Sequence, residues 1–299
     1  MRVALLGPTR NPVAEPFAGG QESHVATLCR ALRSLGHHIT LYASTGSDST
    51  LCDELVEHPH PPLLSSVAAL DPQLPEPTFL ADQYAYFAVV ADLMARREHI
   101  DVVHNSSLHH LPLVAARAVG RPLVTTLHTP PFPWMEVGVA LADPRSLFVA
   151  VSESLAAQWQ TLKPRPTVVY NGVCAASFSL GNGGEDLVWV GRLVADKGAD
   201  RAIDAAQRAG RRLRLVGPRS DPDWFEARVR PRLGPDVVYE GHLDHGETAQ
   251  VVGSAVALLA TPRWAEPFGL VCVEAALTGT PVVALRRGGL AEVVEPGLG

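Results

Sequence analysis

Clustered positive charge is the first thing this chain lacks. Its 299 residues carry 25 Lys and Arg against 31 Asp and Glu, a net charge of −6. Nucleic-acid phosphates demand grouped cations, so nucleic acid is excluded as the main partner. Cysteine is scarce: Cys29, Cys52, Cys174 and Cys272 are scattered without CxxC spacing, which points to a reducing, cytoplasmic setting. Cys29 and Cys272 fall on apolar helical faces and read as small buried hydrophobes. No apolar run is long enough to span a membrane, so integral membrane association is not expected, and the run in MRVALLGPTR is too short for a signal peptide. The segment GPTRNP after Leu6 lacks a close glycine fingerprint, and the second strand ends in Tyr42-Ala43-Ser44 rather than an acidic residue. That argues against a dinucleotide-dependent dehydrogenase. No carboxylate–His spacing suggests a catalytic metal. The adjacent pairs His37-His38 and His109-His110 are expected to point apart, so they make no metal site either.

What is present is a regular alternation of short apolar runs and helical patterns. A strand at 2–6, a loop rich in Gly and Pro at 7–20, a helix at about 21–35 and a strand at 39–43 make a βαβ opening. The helix would turn Val25, Leu28, Cys29, Leu32 and Leu35 to one side. The proline-rich segment 58–77 has no period and reads as loop. Helices at 79–97, 111–119 and 153–160 then alternate with strands at 101–104, 122–127 and 147–151, and KPRP at 163–166 reads as a linker. The second half repeats the pattern, with strands at 187–190, 213–216, 237–240, 255–260 and 281–285. Its helices are expected at 199–209, 224–233, 247–253 and about 268–277. The fold class is α/β, with two Rossmann-like parallel-sheet domains, 1–165 and 166–299, facing each other across a cleft.

Parallel sheets bind ligands beyond the C-terminal ends of their strands, and three groups of residues fall there. Glu266 lies in the loop TPRWAEPFG, and Glu274 follows after seven residues, two turns inside a helix. Two carboxylates with a helix N-terminus between them suit a polyhydroxylated, phosphorylated ligand. Arg192 and Lys197 end the strand of VGRLVADKG, where a diphosphate would find its cations. Taken alone, that pair reads as a solvated loop with a surface ion pair. Gly19-Gly20, before the first helix, lets a phosphate approach the backbone or simply caps a turn. His104 and His128 end apolar strands. For His104 a packed structural role is equally open, whereas His128 points to function.

Together GGQESHV, DVVHNSS, TLHTPP, VAVSESL, VVYNGV, VGRLVADKG and EPFGLVCVEAALTGTPVVA resemble glycosyltransferase family 4 (group 1), retaining enzymes of GT-B architecture. The resemblance implies transfer of a hexosyl group from a UDP-sugar or GDP-sugar to a small-molecule or glycan acceptor, without a metal. It implies that Glu274 binds the donor ribose and Glu266 a hydroxyl of the transferred sugar. The amides around Phe268, Gly269 and Leu270, assisted by Arg192 and Lys197, would hold the distal phosphate. Gly20 would touch the same diphosphate, and His128 would lie near the sugar and the reacting centre, with His104 near acceptor or sugar. The acceptor would be set by first-domain loops, namely the proline-rich segment and PPFPWME with Trp134, whose composition suits a small or apolar acceptor. Family members usually continue beyond GGLAEVVEPGLG, so closing C-terminal helices are expected to be missing. That leaves a non-catalytic sugar-nucleotide binder as the alternative expectation.

Overall fold

Runs of branched aliphatic residues that are buried on both faces can pair only with one another, with helices above and below, and this dictates parallel sheets. The computed structural model describes residues 1–295. The expectation about how the chain closes, as far as it concerns residues 296–299, lies outside the described residues. Two units form, each around its own sheet.

Unit 1 comprises Met1–Ala14, Gln21–Ala150 and Gln158–Thr167. Along the chain run β1 (Arg2–Leu6), α1 (Gly20–Ser34), β2 (His38–Ala43), β3 (Glu54–Glu57), α2 (Pro77–Ala95) and β4 (Val102–Asn105). Then come α3 (Leu111–Val119), β5 (Leu123–Leu127), α4 (Pro133–Leu141) and β6 (Leu147–Ala150); α5 (Glu153–Gln158) falls almost wholly in unit 2, and β7 (Thr167–Val168) closes the sheet. The sheet order is β3-β2-β1-β4-β5-β6-β7, with the order reversing between β1 and β4. Leu5, Leu6, Ile39, Leu41 and Tyr42 are fully buried in its middle.

Three sequence expectations change here. Residues 54–57 form β3, an edge strand of only four residues whose Glu ends hid its pattern. PPFPWME is not a loop throughout: Pro133 takes the first position of α4, where its missing N–H costs nothing. Leu35 is 72% exposed rather than part of the apolar side of α1, because the helix ends at Ser34.

Unit 2 comprises Glu15–Gly20, Val151–Ala157 and the chain from Val168 onward. Its elements are β8 (Leu187–Val190), α6 (Ala199–Ala209), β9 (Leu213–Val216), α7 (Pro222–Arg228) and β10 (Val237–Gly241), followed by α8 (His245–Gly253), β11 (Ala257–Ala260), α9 (Leu270–Leu277), β12 (Val282–Ala284) and α10 (Leu290–Val293). The sheet order is β10-β9-β8-β11-β12, and every adjacent pair is parallel. Side chains alternate across the pleat. Leu187 and Trp189 of β8 join α6 and α7 on one face, while Val188 joins α8 and α9 on the other. Ala199, Ala202, Ile203 and Ala206 repeat at helical spacing and bury one stripe of α6. The helix expected at 224–233 is shorter, since α7 stops at Arg228 ahead of a single tight turn over Arg230–Arg232 that contains Pro231.

Ile203 has no exposed surface. Ile203→Ala should therefore cost about 2–5 kcal/mol in urea unfolding, and a loss below that range would show that the α6 face can collapse around the cavity.

Candidate functional site

In unit 2 the strand order reverses between β8 and β11, the place where open α/β sheets leave a crevice at their C-terminal edge. The loop after β8 carries Arg192 and Lys197, and the loop after β11 carries Glu266, so topology brings together residues 69 apart in sequence. Lys197 Nζ donates to both Glu266 oxygens at 2.7 and 2.8 Å, and Trp264 Nε1 donates to Glu266 Oε2 at 2.8 Å. The ammonium also lies 5.2 Å from the centre of the Trp264 ring. Lys197 and Glu266, expected to make separate ligand contacts, are thus one half-buried ion pair. Arg192 is exposed and its guanidinium has no partner among the described residues.

A second ion pair holds the first in place. Arg263 forks onto Asp200 with two bonds of 2.6 Å, donates to Ala195 O at 2.9 Å, and its backbone N–H reaches Asp196 O at 2.7 Å. Burial works to raise the Asp200 carboxyl, but the guanidinium outweighs it and holds the group below the usual carboxylate range. This fork clamps the β11–α9 loop to the turn that presents Lys197. Neither Arg263 nor Asp200 was singled out in the sequence, where an Arg beside Trp264 and an Asp inside α6 look like ordinary surface charges.

Behind Glu266 the backbone is crowded. Gly288, at φ +60°, lies so close that a Cβ would sit 2.3 Å from Glu266 O, and Gly289 N donates to the same oxygen at 2.7 Å. The following helix begins at Leu270 rather than 268, because Gly269 adopts φ 95° and breaks the helical path. Gly269 has no side chain to cap α9, so the first turn lacks a side-chain cap; the Cys272 N–H donates to Gly269 O at 2.9 Å. Phe268 itself is buried. Glu274 is the fifth residue of α9, little more than one turn in rather than two. Burial pushes its carboxyl above the ordinary value of 4.5, with His245 opposing. The Cys272 thiol, driven up to about 12 by burial, feels Glu266, Glu274 and Lys197 together, which puts all three in one neighbourhood.

Gly19 and Gly20 belong to the segment Glu15–Gly20 of this unit. A Cβ on Gly20 would meet Leu270 Cδ1 at 3.5 Å, so the glycine stands beside the first turn of α9. The segment is tied down by a bond between His242 Nε2 and Phe17 O of 2.9 Å and by His245 N donating to Glu15 Oε2 at 3.2 Å.

His104 and His128 lie in unit 1, at the C-terminal edge of neighbouring β4 and β5. His104 Nε2 shares a 2.8 Å hydrogen bond with Thr126 Oγ1. Burial, with His24 adding, holds its pKa down at about 4. His128 is held well below the ordinary range by burial, with His24 and His104 adding to the effect. Its Nε2 is buried without a hydrogen-bond partner among the described residues. The His24 ring meets His128 edge-on at 4.7 Å. His24 had no role in the sequence reading, although it sits one helical turn beyond Gly20 in GGQESHV. The pair His109-His110, expected to diverge, instead stacks ring on ring at 4.5 Å, because it lies in a turn and not in a helix or strand. Among the described residues no three His, Cys, Asp or Glu side chains converge as metal ligands, and no helix is long and apolar enough to cross a membrane.

Known proteins match both halves of the chain. Residues 18–176 match the family model described as Glycosyltransferase Family 4, and residues 184–299 match Glycosyl transferases group 1. A glycogen synthase of Mycobacterium tuberculosis is 28% identical, covering 99% of this chain and 81% of that protein. A D-inositol 3-phosphate glycosyltransferase of Actinosynnema mirum is 29% identical over 99% of this chain and 84% of its own length. Among solved structures, Anabaena HepE in complex with UDP-glucose superposes with a TM-score of 0.76 at 20% identity, covering 99% of this chain and 84% of that one. That likeness shows the fold.

Two outcomes test this site. Arg263→Ala should lower stability by about 2 kcal/mol, the worth of hydrogen bonds between charged groups, and should weaken binding of nucleoside diphosphate in calorimetry. Unchanged binding would mean that the fork does not position Lys197. For Glu274 the folded protein binds more protons than the unfolded chain between the ordinary carboxyl value of 4.5 and its raised one, so stability falls as pH rises through that window. Glu274→Gln removes the penalty. It should raise the melting temperature of the ligand-free protein at neutral pH by about 2–4 °C, with the gain vanishing as pH drops to 4.5.

Proposed function

The chain belongs to Glycosyltransferase Family 4, and we propose that it moves a hexosyl group from a nucleoside diphosphate sugar to an acceptor hydroxyl with retained anomeric configuration. One observation carries the proposal: an open Arg192, the Lys197–Glu266 pair and the start of α9, which lacks a side-chain cap, converge at the strand-order reversal of unit 2. Departure of the diphosphate develops negative charge on its distal phosphate. Donors already aimed at that charge need no reorganisation during the reaction, which is the largest contribution in most enzymes. An ammonium has three N–H donors, so Lys197 can hold Glu266 and still reach a phosphate oxygen. Glu266, fixed by Lys197 and Trp264, accepts from a hydroxyl of the transferred sugar.

Glu274 takes the ribose hydroxyls. Hydrogen bonds to its charged form offset the burial that opposes ionisation, so nucleotide binding lowers its pKa. The family resemblance assigns the sugar near the reacting centre to His128, whose neutral imidazole has an Nε2 that is otherwise unpartnered. No carboxylate of this set is assigned as a nucleophile. The acceptor attacks on the face from which the phosphate departs, and that phosphate takes the acceptor proton. The two cations do the neutralising that a divalent metal would do, so no metal is required.

Arg192→Ala and Lys197→Ala should each lower turnover about 10²-fold or more, the effect of removing one such donor elsewhere, with circular dichroism unchanged. Wild-type turnover in both variants would remove the diphosphate assignment, and a glycosyl-enzyme trapped on any carboxylate would refute the front-face route. Hydrolysis or transfer measured with UDP-glucose and GDP-mannose separates an enzyme from a silent binder.

A further inference from the structure

Unit 1 contains a row of rings that the proposed chemistry does not use. Tyr86 of α2 stacks on His109 at 4.1 Å, His109 on His110 at 4.5 Å, and His110 on Trp134 of α4 at 5.0 Å, with ring planes within 27° at each step. The inner end is rooted in the core, where Tyr86 is fully buried and its hydroxyl donates to Gly7 O at 2.8 Å. The outer end is open: Trp134 is 52% exposed, and Phe79 lies 5.8 Å away with its ring inclined by 40°.

The row is held in shape at some cost. Leu108 takes φ 57°, the left-handed region that a leucine avoids, at a cost on the order of 1 kcal/mol. That turn brings the two histidines onto one stack. Ser107 N donates to Asn105 Oδ1 at 3.1 Å, and Leu111 N donates to His109 Nδ1 at 3.2 Å, fixing the turn on both sides. The α4 backbone comes in so closely at Gly138 that a Cβ there would lie 2.9 Å from His110 Cβ. The turn follows β4 and α4 follows β5, so the row stands at the same sheet edge as His104 and His128.

Charge decides what such a platform can take. Neither α2, α4 nor the turn 106–110 contains a Lys or Arg. Arg10, from the loop after β1, is already paired with Asp82 at 3.3 Å. Burial and the neighbouring imidazole of His110 hold His109 down at about 3, and burial lowers His110 as well, so both rings are neutral near pH 7. Glu136 is the one charged residue of α4, and it is acidic. A phosphorylated acceptor or an anionic lipid surface would find no counterion here. The flat C–H face of a sugar ring stacks on indole, and its hydroxyls remain free at the rim for polar groups.

We infer that the exposed face of Trp134, backed by the stacked His110, His109 and Tyr86 rings, is the acceptor subsite and takes the apolar face of a neutral, unphosphorylated saccharide. The inference rests on the glycosyl-transfer reading for the word acceptor, but the binding itself can be measured without transfer. The full chain is titrated by calorimetry and saturation-transfer NMR with maltotriose, cellotriose and mannotriose, with glucose 6-phosphate, and separately with UDP. At least one neutral trisaccharide should bind, tenfold or more weakly to Trp134→Ala and within about threefold of wild type to Trp134→Phe, since stacking needs an aromatic face. UDP affinity should be the same in all three proteins. The inference is overturned if none of the trisaccharides binds, if Trp134→Ala binds them as wild type does, or if glucose 6-phosphate competes better than they do. Trp134-dependent binding to phosphatidylglycerol vesicles would overturn it in favour of a lipid surface. Wild-type protein that binds neither UDP nor, in a parallel titration, GDP would sink the glycosyltransferase reading alone.

Discussion

The fork between Arg263 and Asp200 is the constraint on which the geometry of unit 2 depends. Two N–H donors at fixed separation meet two carboxylate oxygens, so the contact fixes angle as well as distance. It joins the loop after β11 to the first turn of α6, and so brings Lys197 against Glu266. Gly288 and Gly289 close the arrangement from behind, against the Glu266 backbone. A lysine in place of Arg263 would keep the charge and lose the angle. The consequence is a fixed Lys197–Glu266 pair at the strand-order reversal, with the Arg192 side chain exposed.

The strand-end chemistry of unit 1 is different. Burial pushes the imidazoles of His104, His109 and His128 toward the neutral form; His104 meets Thr126, and His109 meets Gln83 and the Leu111 N–H. Under the proposed function, such neutral groups would meet sugar hydroxyls rather than phosphate. Unit 1 holds ion pairs as well, among them Arg2–Asp101 at 3.2 Å.

The alternation of apolar runs and helices was legible because the central strands, such as β1, β2, β9 and β11, are buried on both faces, which produces continuous apolar runs. The order of the helices and the loops bearing Arg192, Lys197, Glu266, His104 and His128 followed from that pattern. Other features were not legible. β3 is a four-residue edge strand with Glu at both ends, where pairing rather than hydrophobicity makes the strand. The start of α4 was masked by prolines that break a helix in its middle but suit its first turn. The start of α9 hinged on one glycine torsion. Arg263 and Asp200 were invisible as a pair because 62 residues lie between them and only the parallel register brings them together.

Local chemistry along the chain determined the α/β class, the repeating strand-helix units and the residue types at each strand end, since burial and helix signals act over a few residues. Which of those residues meet was decided only by the tertiary structure. Lys197 found Glu266 rather than solvent because the strand order reverses between β8 and β11. His109 and His110 stack instead of diverging because Leu108 is held in a left-handed turn. Ion pairs and ring stacks act across space between segments distant in sequence, and a linear pattern has no term for them.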